Sequence, residues 1–165
     1  MKKISSGFTL VELLIVIALL GALAIGLLAT VDPFEQLKKG RDTSASNVVQ
    51  EFLNANLRYY STKGYLPWGT GTTFTAAQAN TLGASITALI NAGELKNRFM
   101  DIAGTGNLAK ILVTSTSVDS VAVCFQPESK SYQQNANTVY SSDAVAQTQG
   151  CTSQGGSGLC YYCVQ

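Results

Sequence analysis

The chain has 165 residues, with 11 lysine or arginine residues against 10 acidic ones, so its net charge is only +1. That balance provides no basic surface field of the kind that favours nucleic acid, which is therefore not indicated as a partner. The chain contains no histidine, and this removes the usual general base and the commonest metal ligand. We expect no catalytic site, no metal site and no cofactor.

An apolar segment near the N-terminus, "SSGFTLVELLIVIALLGALAIGLLAT", has no charged side chain between Leu13 and Ala29. Seventeen helical residues span roughly 25 Å, and a helix that begins at Phe8 is long enough to cross a bilayer. The segment predicts a transmembrane helix over residues 8–31. Glu12 then lies among apolar residues, where an ionised acid is costly and requires a partner.

A cleavable secretory signal is the alternative interpretation of this segment, with a cut site such as Ala22-Leu23-Ala24. The acid within the apolar core and the apolar residues that continue to Val31 count against it.

Residues 32–62 change to an amphipathic pattern in which apolar residues recur every three or four positions. This pattern predicts a continuation of the membrane helix, giving one N-terminal helix of about 50 residues at 1.5 Å each. Pro33 lacks a backbone donor, so it predicts either a kink or a simple exit turn at Asp32-Pro33. Gly64 and Pro67 mark the end of the helix.

Residues 63–165 have the composition of a small globular head. Two short helices are expected between Thr75 and Met100, beginning at Thr75 and Ser85. The stretches 108–117 and 120–129 are rich in β-branched residues and predict two strands, with a third in 130–142. The fold class is therefore α+β, with the long N-terminal helix packed against a small antiparallel sheet.

Four cysteines lie in the last 42 residues, at Cys124, Cys151, Cys160 and Cys163. Late cysteines indicate an oxidising compartment, which places the head outside and the N-terminus in the cytoplasm. They can pair in three ways. We prefer Cys151–Cys160, closing a glycine-rich loop, with Cys124 in a strand anchoring Cys163. The spacing from Cys160 to Cys163 also fits a redox pair, although only two residues follow it.

The N-terminus resembles those of type IV prepilins and type II secretion pseudopilins. Lys2-Lys3 is followed by Gly7-Phe8-Thr9-Leu10-Val11-Glu12-Leu13-Leu14 and an unbroken aliphatic run. The match is close over about the first 30 residues and general in pattern over about the next 35, and the C-terminal domain is matched only in style. It implies a pilin-like α+β fold.

This resemblance implies that residues 1–7 are a leader peptide, cut between Gly7 and Phe8 by a membrane prepilin peptidase that also methylates the new Phe8 amine. Glu12 would then pair with the amine of a neighbouring subunit during assembly. The stretch from Gly21 to Pro33 would extend as the filament forms. The implied partners are further copies of the chain or related subunits, the peptidase, an inner-membrane assembly platform and the bilayer.

The function indicated is a non-enzymatic structural subunit of a type IV pilus or a type II secretion pseudopilus. Before assembly it would be a single-pass protein of the inner membrane, and afterwards part of an extracytoplasmic or cell-surface filament. The alternative is a membrane-anchored binding or thiol-redox module that never polymerises.

Overall fold

The structure is a computed structural model that describes residues 7–30, 32–146 and 160–165. The chain forms two compact units, the first ending at Gln36 and the second beginning at Leu37. Helix α1 (Leu10–Thr30) belongs to the first unit, and helix α2 (Pro33–Lys63) starts in the first unit and continues in the second.

The second unit contains a four-stranded antiparallel sheet and several short helices. Its elements, in chain order, are strand β1 (Phe74–Gln78), a 3₁₀ turn (Ala79–Thr81), helices α3 (Gly83–Asn91), α4 (Phe99–Ala103) and α5 (Thr105–Leu108), strands β2 (Ile111–Ser115) and β3 (Ala122–Phe125), helix α6 (Lys130–Gln133), and strand β4 (Tyr162–Val164). The strand order in the sheet is β1-β2-β3-β4. The predicted α+β class, with a helix packed against a small antiparallel sheet, is confirmed.

The N-terminal helical span consists of two helices rather than one continuous helix. α1 ends at Thr30 and α2 begins at Pro33. Asp32 caps α2, because its Oδ1 accepts hydrogen bonds from the amides of Phe34 at 3.1 Å and Glu35 at 3.3 Å. Proline is well suited to the first position of a helix, where its missing donor costs nothing. The expectation of one continuous N-terminal helix of about 50 residues is therefore wrong, because α2 begins afresh behind the Asp32 cap. The kink at Pro33 stays a prediction.

The apolar stripe of α2 lies in the core of the head. Val49, Phe52 and Tyr59 are buried together with residues of β2 and β3 such as Val113 and Val123. Phe52 stacks on Phe99 with ring centroids 6.1 Å apart, which joins α2 to α4. The alternation of buried and exposed positions along α2 thus places the sheet against one side of the helix.

Two strand predictions are confirmed and two elements differ from expectation. β2 and β3 pair in the predicted hairpin, with Val113 opposite Val123. The helix expected from Thr75 is wrong, because Phe74–Gln78 pairs with β2 as an edge strand with a register shift. Pairing to an existing strand outweighs the high helix propensity of the two alanines in this stretch.

The prediction of a third strand in 130–142 is also wrong over the first half of that stretch, which contains helix α6. Ser129 accepts a hydrogen bond from the amide of Tyr132 and caps helix α6. Only Tyr140 makes bridges, to Ala146 and Tyr161.

The preferred pairing of Cys124 with Cys163 is confirmed. The two residues lie directly opposite each other in β3 and β4, with Cα atoms 4.1 Å apart. Cys160 is also disulfide-bonded, while its predicted partner Cys151 lies outside the described residues. The 124–163 bond fixes the last strand to the sheet across 39 residues of sequence.

A buried acid joins the start of α2 to the chain that follows β3. Asp42 is only 3% exposed. Its Oδ2 accepts hydrogen bonds from the Ser129 amide at 2.7 Å and the Ser129 hydroxyl at 2.6 Å, and its Oδ1 accepts one from the Glu128 amide at 3.0 Å. Such charge-assisted bonds offset the cost of burying the carboxylate. Around them, Glu128 pairs with Arg41 and Lys110 at the surface.

Replacing both Cys124 and Cys163 with serine is expected to lower the free energy of unfolding by about 4 kcal/mol, from the chain entropy that a loop of this length regains. The measurement is urea unfolding of the detergent-solubilised full chain. Trp68, the single tryptophan, reports it by fluorescence, because it packs on the core and on Phe74 at 5.0 Å. An unfolding midpoint equal to that of the wild type would contradict this role of the bond.

Asp42→Ala is expected to lower the free energy of unfolding by about 3 kcal/mol, because it leaves the Glu128 and Ser129 donors without their acceptor. The same fluorescence assay measures it. Asp101→Ala is the matched control. The Asp101 side chain is 73% exposed, and its ion pair with Arg98, at 3.8 Å, is too exposed to contribute much stability. It should change stability by less than about 0.5 kcal/mol. Equal effects of the two variants would show that the buried acid does not join α2 to the head.

Candidate functional site: the start of the membrane helix

Helix α1 presents apolar side chains to its surroundings on every side. The window Leu10–Leu27 has a mean hydropathy of 2.8, and none of it is buried by the rest of the chain. At 1.5 Å per residue the 21 residues of α1 extend about 31 Å, close to the thickness of a bilayer core. Among the described residues this is the one helix long and apolar enough to cross a membrane.

The acid at the start of this helix has a local partner. The Glu12 Oε2 accepts hydrogen bonds from the Thr9 amide at 3.1 Å and the Thr9 hydroxyl at 2.9 Å. In return the Glu12 amide donates to the Thr9 Oγ1 at 3.2 Å, and the Leu13 amide donates to the Thr9 carbonyl at 3.3 Å. Thr9 is therefore the N-cap, and Thr9 and Glu12 form a reciprocal capping box.

This capping box gives Glu12 two neutral donors but no cation. Sequence reasoning placed Glu12 in the helix and missed the part that Thr9 plays. The signal was present, because a threonine followed three residues later by a glutamate and then by an apolar run is the sequence signature of a capping box. The helix starts at Leu10, so Phe8 lies outside it.

The bond between Gly7 and Phe8 is accessible. Both residues precede α1 in non-helical chain, and both are exposed, with Phe8 at 82%. No atom beyond its neighbours lies within 4 Å of where a Cβ on Gly7 would be. A protease can reach an exposed, non-helical backbone of this kind without unfolding a helix or strand. The basic residues Lys2 and Lys3 lie outside the described residues.

The two glycines of the membrane helix do not interrupt it. α1 is continuous through Gly21 and Gly26, and a Cβ at either position would meet no atom within 4 Å. The space beside each is open, so neither glycine is required by packing within the chain. The predicted extension between Gly21 and Pro33 on assembly stays a prediction.

The candidate redox pair is not formed. Cys163 is bonded to Cys124 and not to Cys160, so the C-x-x-C spacing does not provide a dithiol. The cysteines of the described head therefore act as structural crosslinks.

Comparison with known proteins agrees with this geometry. Residues 2–28 match the family model described as the prokaryotic N-terminal methylation motif. The chain is also 30% identical over 118 residues to the fimbrial protein EcpC of Eikenella corrodens, which is 72% of this chain and 69% of that relative. No solved structure gives a significant match.

The matched motif covers Gly7 and Phe8 before α1 and Glu12 in its first turn, and the relative's similarity extends over most of the chain. The fold is the long apolar helix and small antiparallel sheet that the resemblance implied. This protein is a pilin-like structural subunit and belongs to the family of type IV pilins and type II secretion pseudopilins.

Proposed function

We propose that the protein is a subunit of a type IV pilus that polymerises through α1. The observation that carries this proposal is the helix itself, which is apolar on all sides and uncovered by any described part of its own chain. The apolar side chains of such a helix are covered by lipid before assembly and by other copies of the helix in the bundle afterwards. The fimbrial name of the relative favours a pilus over a secretion pseudopilus.

The proposed maturation begins with removal of residues 1–7. A membrane prepilin peptidase cuts between Gly7 and Phe8 on the cytoplasmic side and methylates the new amine. The exposed, non-helical backbone at this bond supports the proposal. Residues 8–31 would then form the transmembrane segment, residues 32–62 its amphipathic continuation, and residues 63–165 the head outside the membrane. An inner-membrane platform would feed the subunits into the filament.

Glu12 has a separate role in each state under this proposal. In the unassembled subunit the capping box with Thr9 supplies hydrogen bonds to the carboxylate. In the filament the carboxylate meets the methylated Phe8 amine of a neighbour, which neutralises it. A charge pair within an apolar bundle fixes the register between helices, because any other register leaves one charge without its partner.

Mass spectrometry of the N-terminal peptide from native membranes tests the maturation. We expect a chain that begins at N-methylated Phe8. Gly7→Ile should block the cut, because a branched side chain at the cleaved bond obstructs the protease. Gly40→Ile is the matched control, since Gly40 is exposed with no atom within 4 Å of a Cβ, and it should be processed normally. A chain that begins at Met1 would favour the non-polymerising membrane-anchored module, and one that begins after Ala24 would favour a secreted binding domain.

Glu12→Gln tests the charge of the acid apart from its capping role, because glutamine also serves in a capping box. We expect the variant to be inserted and cut normally, and its recovery in sheared filaments to fall by more than about tenfold, as does that of Glu12→Val. Immunoblots of the membrane and filament fractions measure both. Normal filament yield from Glu12→Gln would show that charge pairing does not drive assembly.

A further inference from the structure

A groove on the head is lined by two carboxylates and by apolar side chains. It has a volume of about 420 Å³ and lies beside the β2–β3 turn. Leu57, Val121 and Val145 contribute apolar surface, and Asp119 and Asp143 contribute the acids. Among the residues that the structure describes, no lysine or arginine lines the groove, and neither acid lies within 4.0 Å of a basic side chain.

Local hydrogen bonds hold both acids in place. The Ser117 hydroxyl donates to the Asp119 Oδ1 at 2.5 Å, and the Ser141 hydroxyl donates to the Asp143 carboxylate. The Ser141 bond, followed by backbone donors, lowers the pKa of Asp143, so that this group is ionised at neutral pH. Val145 is 55% exposed on the same groove. The groove thus offers negative charge next to uncovered apolar surface, which suits a cationic group adjoining an aliphatic one.

The head exposes a cationic group beside an aliphatic one elsewhere, at the start of α4 and the residue that precedes it. Arg98 and Ile102 follow each other by one helical turn, since the Ile102 amide donates to the Arg98 carbonyl at 2.9 Å, and they therefore project from the same side. The Arg98 side chain is 80% exposed and Ile102 is 70% exposed. Asp101 is 3.8 Å from Arg98, and an exposed pair at that distance holds the guanidinium only weakly. We call Arg98 and Ile102 the α4 knob.

The groove and the α4 knob lie on opposite sides of α2. Leu57 lines the groove, whereas Val48 lines a shallow apolar depression together with Phe99 and Ile102 of α4. Val48 and Leu57 are nine positions apart, which is two and a half helical turns, so they point in opposite directions. One copy can therefore offer its knob to a second copy while its own groove receives a third.

We propose that the α4 knob of one copy docks in the carboxylate groove of the next, with Ile102 against Leu57 and Val145, and Arg98 between Asp119 and Asp143. This inference rests on the proposed function and specifies a contact between heads that accompanies the packing of α1. Charge complementarity selects a second copy as the occupant, because the chain itself carries both halves of the match.

Such a contact is heterologous, because the surface that each copy gives differs from the one that it receives. A heterologous contact that does not close into a ring propagates as a helix. This is the symmetry that a filament requires, and an isologous contact between two knobs or two grooves would stop at a dimer.

Engineered disulfides test the contact in filaments of the full chain. Ile102→Cys combined with Val145→Cys should give a ladder of covalent multimers on non-reducing gels, and either substitution alone should give none. Ile102→Cys with Val118→Cys is the matched control, because Val118 is 56% exposed, as Val145 is, but does not line the groove. Filaments that give no ladder, or the same ladder with the control pair, would overturn the proposal.

Charge reversal tests the electrostatic half of the match. Arg98→Glu alone, and Asp119→Arg with Asp143→Arg, each bring like charges together and should lower filament yield by more than about tenfold. The triple variant restores opposite charges across the contact and should recover the yield to within about threefold of wild type. Head folding in each variant is checked by Trp68 fluorescence. Folded heads with undiminished filaments in both reversed variants, or with no recovery in the triple variant, would reject the pairing.

The two levels of proposal fail separately. A wild-type protein that is never cut at Gly7 and gives no filaments would refute the proposed function. Wild-type filaments with no effect of the charge reversals and no specific crosslink would refute only the contact between heads, and a small cation in the groove would be the remaining occupant to examine.

Discussion

The constraint on which the rest of this molecule depends is an apolar helix that the described parts of its own chain leave uncovered. A helix that is apolar on every side has no stable exposed state in water. It must lie in a bilayer or among other helices. A subunit that moves between these two environments keeps its apolar surface away from water in both. Its backbone is satisfied internally in both, because a helix bonds to itself. The one charged group in its first turns, Glu12, is hydrogen-bonded to Thr9, the residue that caps the helix.

Under the proposed function, the head has to remain folded while the helix changes its surroundings. Two features join its parts. Asp42 joins α2 to the chain after β3 through three short hydrogen bonds. The Cys124–Cys163 bond fastens β4, which has only three residues, to the centre of the sheet. A short terminal strand makes few contacts of its own, so a covalent link is the means by which it stays in register.

Under these proposals, apolar packing and charge pairing contribute differently to assembly. Packing along α1 is non-directional, since apolar surface accepts many arrangements, so it supplies association without fixing the register. Charge pairs fix position, because a displaced pair leaves a charge exposed to apolar or like-charged surroundings. The proposed pairing of Glu12 with a neighbouring amine sets the register of the helices. The α4 knob in the carboxylate groove would set that of the heads.

The sequence by itself determined the features that depend on near neighbours in the chain. Apolar length predicted α1, β-branched runs predicted β2 and β3, and Gly64 marked the end of α2, where its φ is +76°. The methylation motif at the N-terminus identified the family. Each of these signals is contained within a few turns or a single hairpin, so local propensity and periodicity are enough to read it.

The tertiary structure alone decided the features that join distant parts of the chain. β1 became a strand because β2 offered it a partner. The sequence left three cysteine pairings open and only favoured Cys124 with Cys163, and the pairing is decided by β4, which places the two opposite each other. The burial of Asp42 depends on donors 86 and 87 positions away. Such contacts form only when the whole head folds, since their energy comes from partners that no local window of sequence contains.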